Sequence, residues 1–149
     1  MSKRKPIKVE YQTLVAIWLL LLISQVVFFV VVSYAKPGIF SAEARGSVLD
    51  NLPLVTVVFT AIAILFFVLS FVLSRQYMRR AVEDQDAGCV QTGLLLGCVL
   101  CEMSSILGLV LAFVFSHPYF YLWLALGTLG IFLHFPRKGN LDAATYKQQ

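Results

Sequence analysis

Four long apolar runs dominate the sequence, and short polar segments separate them. A helix that rises 1.5 Å per residue needs about 20 residues to cross a hydrocarbon core of ~30 Å. Three of the runs reach that length, and the fourth is short enough to need its aromatic ends or a locally thin bilayer. The pattern predicts an all-α polytopic membrane protein, with four transmembrane helices in a small antiparallel bundle. The predicted spans are residues 14–34, 54–73, 92–115 and 119–135.

Composition agrees with a membrane class. Of 149 residues, 59% are hydrophobic and only 13% are charged, whereas a soluble domain carries roughly 25% charged residues. Lipid must therefore solvate much of the chain, and residues 14–135 are expected to form one transmembrane domain. A secretory signal peptide is the alternative interpretation of the first span, but its apolar run exceeds the usual 7–15 residues of such peptides, so we expect an uncleaved helix.

Positive charges are divided unequally between the two sides of this topology. The basic tail 1–13, the connection between spans two and three, and the tail 136–149 carry ten Lys or Arg in total, against Lys36 and Arg45 on the other side. The positive-inside rule then predicts that both termini are cytoplasmic. We expect a multi-pass protein of the inner (cytoplasmic) membrane that contacts lipid, with no nucleic-acid partner and no soluble substrate.

A tight turn at residues 116–118 predicts that spans three and four form an antiparallel hairpin. Four aromatic residues follow that turn almost without interruption. Since Trp and Tyr concentrate at membrane–water interfaces, they predict an aromatic belt there. Its members are Tyr119, Phe120, Tyr121 and Trp123.

Glu102, near the middle of span three, is the only Asp or Glu in any of the four spans. A carboxyl group at that depth costs about 2.5–3.5 kcal/mol on insertion scales, so such residues usually face a helix, a cavity or an ion path. Ser105, one turn away, could share a hydrogen bond or an ion with it. Glu102 and Ser105 are therefore the candidate ion-binding residues.

Span three also carries a stripe of small residues along one helical face. Small side chains let membrane helices approach closely, and van der Waals packing then holds them together. The stripe predicts a contact with another helix of this chain or with another membrane subunit. Its helix-packing residues are Gly93, Gly97, Cys101, Gly108 and Ala112, together with Ser104 and Ser105.

The segment from Cys98 to Ala112 resembles the carboxylate helix of the proteolipid subunit c of F- and V-type ATP synthases. The shared pattern is a small residue, Glu102 four positions later, further small residues, and then Gly-Leu-Val-Leu-Ala. A cytoplasmic Arg75-Gln76 precedes the span, where the family often has Arg-Gln-Pro. The resemblance covers about residues 75–112 and implies proton or cation binding at Glu102. Span two departs from the family, whose partner helix is glycine-rich, because it is bulky and lacks Gly.

Other candidate chemistry is sparse. His117 and His134 lie near the two ends of span four, and each could ligate haem or a chlorophyll-type pigment. Cys98 and Cys101 have redox or metal-site spacing, but no further ligands complete a zinc set, so we expect packing. No catalytic set or phosphate-binding glycine loop is present. We predict neither enzymatic activity nor a metal.

Three functional hypotheses remain. The first is a non-catalytic accessory or assembly subunit of a larger bioenergetic membrane complex, of the respiratory, photosynthetic or ATP synthase type. The second is a proton- or cation-binding, subunit c-like protein that uses Glu102. The third is a haem or chlorophyll binder that uses His117 or His134.

Overall fold

The structure, a computed structural model, describes residues 7–40 and 53–145. Regular structure in these ranges is entirely helical. The described residues form five α-helices and one short 3-10 helix, and the predicted outer connection falls mostly outside them. The elements are α1 (Ile7–Ala35), the 3-10 helix η1 (Pro37–Phe40), α2 (Pro53–Asp84), α3 (Ala87–Val114), α4 (Tyr121–Leu133) and α5 (Lys138–Thr145).

Two of the helices extend well beyond the apolar runs that predicted them. α2 continues to Asp84, past the predicted boundary at residue 73, and α3 begins at Ala87. The mostly polar segment 75–84 is rich in residues that favour helix, namely Arg, Gln, Met, Ala and Glu. The connection between α2 and α3 therefore consists of only two residues, Gln85 and Asp86. Gln85 has a φ of 53°. The Asp86 side chain caps α3 by accepting from the Gly88 amide at 2.9 Å.

α3 is the central element of the bundle. It contacts each of the other four α-helices, most extensively α2 and then α4. In the most apolar part of α3, 44% of residues are buried, against 11% in α1 and in α2. α1 packs along α3 and α4, where the Trp18 indole N–H donates to the Ile131 carbonyl at 2.7 Å.

The first and last described helices meet at one end of the bundle, the end that carries the α2–α3 turn. The Gln85 side-chain amide donates to the Ala143 carbonyl at 3.2 Å. The Lys138 ammonium lies 5.4 Å from the centroid of the Tyr11 ring. α4 thus returns the chain alongside α3 to the end at which α1 starts.

At the other end, Lys36 holds the α1–η1 corner against the end of α3. Its ammonium donates to the Phe113 carbonyl at 2.8 Å and to the Ser116 hydroxyl at 2.9 Å. Carbonyls in the last turn of a helix lack intrahelical partners and carry partial negative charge. Lys36 satisfies one of them, so this cation has a structural role here.

Within the described residues, three helices are long and apolar enough to cross a membrane, which fits the predicted membrane class. They lie within α1, α2 and α3, over Tyr11–Ala35, Leu54–Asp84 and Gly88–Val114. α4 is apolar but has only 13 residues, which corresponds to about 20 Å.

The aromatic residues after the tight turn are not a uniform belt. Phe120 is fully buried and Trp123 is 5% exposed. Phe120 packs with Val32, Ile39 and Ala112, because the hairpin turns it inward against α1 and η1. The predicted belt is therefore wrong for Phe120 and Trp123, whereas Tyr121 is exposed.

Candidate functional site

The stripe of small residues on α3 lies between α2 and α4, and its residues are buried. Toward α2, a Cβ on Gly93 would lie 2.8 Å from the Cβ of Tyr77. Toward α4, a Cβ on Gly108 would lie 2.9 Å from the Cβ of Trp123. Both distances are shorter than real Cβ contacts, so these glycines set the separation of the helices.

Polar side chains of the stripe also bond to α2. The Ser104 hydroxyl donates to the Ala63 carbonyl at 3.2 Å. The Cys101 thiol donates to the Ser70 hydroxyl at 3.3 Å. Such interhelical bonds contribute about 0.6 kcal/mol on average in membranes, so they add modestly to the close packing.

α4 supplies matching glycines, which the sequence did not single out. A Cβ on Gly127 would overlap the Ser105 hydroxyl and lie 2.7 Å from the Cys101 carbonyl oxygen, and a Cβ on Gly130 would overlap the Cys101 sulfur. The Gly127-x-x-Gly130 spacing, one helical turn, was the available signal. Small residues of α4 thus pack directly against small residues of α3.

Glu102 lies beside this packed stripe and faces α1. It is about 22 Å from the start of α3 and about 18 Å from its end, and it is partly buried. Its Oε1 lies 2.8 Å from the Ser24 hydroxyl oxygen of α1. The same oxygen of Ser24 lies 2.7 Å from the Leu21 carbonyl. This carboxyl, near the middle of α3, therefore forms an interhelical contact within the chain.

The Ser24 hydroxyl lies within donating distance of two acceptors, the Glu102 carboxyl and the Leu21 carbonyl. A hydroxyl has one hydrogen to donate, so the two acceptors share it. Ser24 thus links Glu102 of α3 to the backbone of α1.

Gln25 completes this polar cluster. It is 3% exposed, and its amide nitrogen lies 3.4 Å from the Ser24 hydroxyl. Its buried amide oxygen has no hydrogen-bond partner among the described residues. Three neighbouring side chains on α1 and α3 thus place hydroxyl, amide and carboxyl oxygens at the same level along the bundle.

Ser105, the predicted companion of Glu102, is turned elsewhere. It is fully buried, its hydroxyl lies against Gly127, and it lacks a hydrogen-bond partner among the described residues. The structure instead joins Glu102 to Ser24 of α1. Facing positions on separate helices cannot be read from spacing within either helix.

The two histidines lie at opposite ends of α4 and are both buried. The His117 Nδ1 accepts from the Tyr119 amide at 3.3 Å, and its ring meets Trp123 edge-on at 5.5 Å. Burial lowers the pKa of His117 below its ordinary value. The His117 ring therefore has a structural setting between the turn and α4.

The surroundings of His134 bear on whether its ring could ligate a cofactor. Its Nδ1 lies 2.7 Å from the Gly130 carbonyl, so Nδ1 carries the hydrogen and Nε2 is the nitrogen able to ligate a metal. However, a Cβ on Gly97 would lie only 2.7 Å from that Nε2. The ring packs directly on the backbone of α3, with Phe71 at 4.6 Å between ring centroids. This packing does not fit an axial haem or pigment ligand.

The cysteines are free thiols, with Cys98 and Cys101 buried. Within the described ranges, no group of three or more His, Cys, Asp or Glu side chains is placed to hold a metal ion. Comparison of the chain with protein-family models, curated proteins and solved structures gave no match.

Proposed function

We propose that the chain is a four-span protein of the inner membrane with both termini in the cytoplasm. Two observations support this topology. The start of α1 and the last described helix, α5, lie at the same end of the bundle. The predicted cytoplasmic segments hold ten of the twelve basic residues. α4 crosses beside α3 as the fourth span. Its short length is offset by the flanking residues 117–120 and 134–136.

Reporter fusions test this topology. A cytoplasm-active reporter and an exterior-active reporter are each fused to the N-terminus and to the C-terminus. We expect the cytoplasm-active reporter to work at both ends. Opposite locations of the two ends would rule out four spans.

We further propose that the protein is a non-catalytic accessory or assembly subunit of a bioenergetic membrane complex. The Glu102–Ser24 contact carries this proposal, because it commits the one carboxyl of the spans to a bond between two helices of the chain. The outer faces of α1 and α2 are broadly apolar. Val26 and Leu65, for example, are each 61% exposed. Such faces suit contact with lipid and with other membrane subunits.

Photo-crosslinking tests for neighbouring subunits. A photoreactive amino acid replaces Val26 or Leu65, and the fully buried Leu111 is the matched control position. After irradiation in native membranes, we expect discrete products at the two exposed positions that contain the same membrane subunits in repeated preparations. Products with lipid alone, together with purification as a single 16.7 kDa chain, would exclude an accessory role.

A second candidate function is proton or cation binding at Glu102, as the resemblance to subunit c implies. The observation that favours it is the unpartnered amide oxygen of Gln25 beside Ser24 and Glu102. Oxygen-rich clusters are what hard cations prefer. A cation-dependent gain in thermal stability that Gln25→Leu abolishes and Gln91→Leu retains would support this function over the structural one.

A further inference from the structure

A cavity of about 180 Å³ opens at the end of the bundle where the first and last described helices meet. It is lined by residues of all five α-helices and of the segment between α4 and α5. A water molecule needs only roughly 10–15 Å³ of such volume. The cavity can therefore admit a group the size of a phosphate.

Two arginines from separate parts of the chain line this cavity. Arg75 comes from α2, and Arg137 immediately precedes α5. Their guanidinium groups can bind oxyanions through two parallel hydrogen bonds each. Among the described lining residues there is no Asp or Glu, so the local charge is positive.

Neutral polar groups accompany the arginines. Ser74 and Asn140 also line the cavity and can donate to an oxyanion through a hydroxyl and an amide. Both side chains are partly buried. The donors thus come from α2 and α5, which a ligand would hold together.

Apart from the imidazole of His134, the remaining walls are apolar. Leu14, Phe71, Met78, Val90, Leu94 and Leu133 contribute to them. Small-molecule sites combine an apolar lining with a few polar groups that fix orientation. The lining suits an anion that carries an apolar part, and the cavity lies at the end of three apolar helices long enough to span a membrane.

We propose that this cavity is a binding site for a phosphate group, held by Arg75 and Arg137. Two sources share that chemistry: the headgroup of an anionic phospholipid, and free inorganic phosphate. The proposal is independent of the accessory role, because the cavity lies at the start of α3, whereas Glu102 lies near the middle of that helix.

Binding is measured on the purified full-length chain in two arms. In one, inorganic phosphate is titrated into protein in a neutral detergent, with chloride at equal ionic strength as reference. In the other, the protein is placed in nanodiscs of phosphatidylcholine with or without phosphatidylglycerol. Thermal stability is followed in both arms, and native mass spectrometry counts bound lipid or phosphate.

Arg75→Gln and Arg137→Gln are compared with Arg79→Gln and Arg80→Gln. The control arginines lie on α2 but line a separate shallow groove. Since a hydrogen bond to a charged group contributes about 1.5–3 kcal/mol, removal of one partner should weaken binding about ten-fold or more. Arg75 and Arg137 are exposed, so these variants should fold, and size-exclusion chromatography checks that they do.

Stabilisation by phosphate alone identifies a free anion as the ligand, and stabilisation only with phosphatidylglycerol identifies a lipid headgroup. Either result supports the site if Arg75→Gln and Arg137→Gln reduce it selectively. The proposal is overturned if neither phosphate source stabilises the wild-type chain. Equal losses in all four arginine variants would also overturn it, because they would show only general attraction to a basic surface.

Discussion

Gly127 offers the sharpest test of how the central helices pack. Replacing it with Ala adds one methyl group to α4. That carbon would overlap the Ser105 hydroxyl and lie 2.7 Å from the Cys101 carbonyl oxygen. The carbonyl belongs to the backbone of α3, which contacts the other four α-helices and cannot shift without disturbing them. The two helices must therefore separate or strain.

The expected cost follows from two opposing effects. Extra methyl or methylene groups in a packed core typically cost 1–3 kcal/mol, and a clash with backbone belongs near the upper end of that range. Ala gains about 1 kcal/mol over Gly from helix propensity. We expect a net loss of about 1–2 kcal/mol in the free energy of unfolding, which is roughly a 5–30-fold change in the ratio of folded to unfolded chain.

The assay is reversible unfolding in mixed micelles with increasing SDS, followed by circular dichroism or tryptophan fluorescence. Gly139→Ala is the matched control, because a Cβ there meets no atom within 4 Å. Adding Ser105→Ala to Gly127→Ala removes the hydroxyl overlap but leaves the carbonyl contact, so it should restore only part of the stability. Equal stability of Gly127→Ala and Gly139→Ala would refute the close packing of α3 and α4.

Three further outcomes are expected in the same unfolding assay. Ser24→Ala should lower the free energy of unfolding by about 0.6 kcal/mol, and at most by about 1.7 kcal/mol. Ser33→Ala should lower it less, because Ser33 bonds only to the carbonyl four residues before it. A larger loss for Ser33→Ala would contradict the Glu102 contact. Trp18→Phe should lose about 1 kcal/mol because the Ile131 carbonyl loses its indole donor, and an unchanged midpoint would argue against it. Because burial lowers the pKa of His117 in the folded chain, the unfolded chain binds the proton more tightly, so stability should fall as pH drops below about 6.5, and His117→Phe should flatten that dependence.

The sequence was sufficient for the class of fold, because the apolar runs are long and few charges interrupt them. It also marked the α3 stripe, since seven small residues recur on one helical face. It could not assign the faces of α1, which is apolar nearly all round. In lipid, a protein-facing and a lipid-facing side chain are equally apolar, so periodicity does not distinguish the buried Val32 from the exposed Val31.

The sequence identified one residue of the candidate site but not the residue that it contacts. Glu102 stands out as a lone carboxyl, but its contact with Ser24 joins residues 78 positions apart. That pairing depends on how α1 crosses α3, which no local pattern records. The same holds for Arg75 and Arg137, whose positive charge was evident as a topology signal but whose shared cavity depends on the α4–α5 corner.

Replacement of Glu102 by Gln separates a structural role of this side chain, through its contact with Ser24, from a role in ion transport. The Gln side chain keeps the shape of Glu, and its amide oxygen can still accept from the Ser24 hydroxyl. If the role is structural, the variant assembles with the same membrane partners and their proton or cation transport is unchanged. Loss of transport in a fully assembled Glu102→Gln complex would contradict the structural role and assign Glu102 to the ion path.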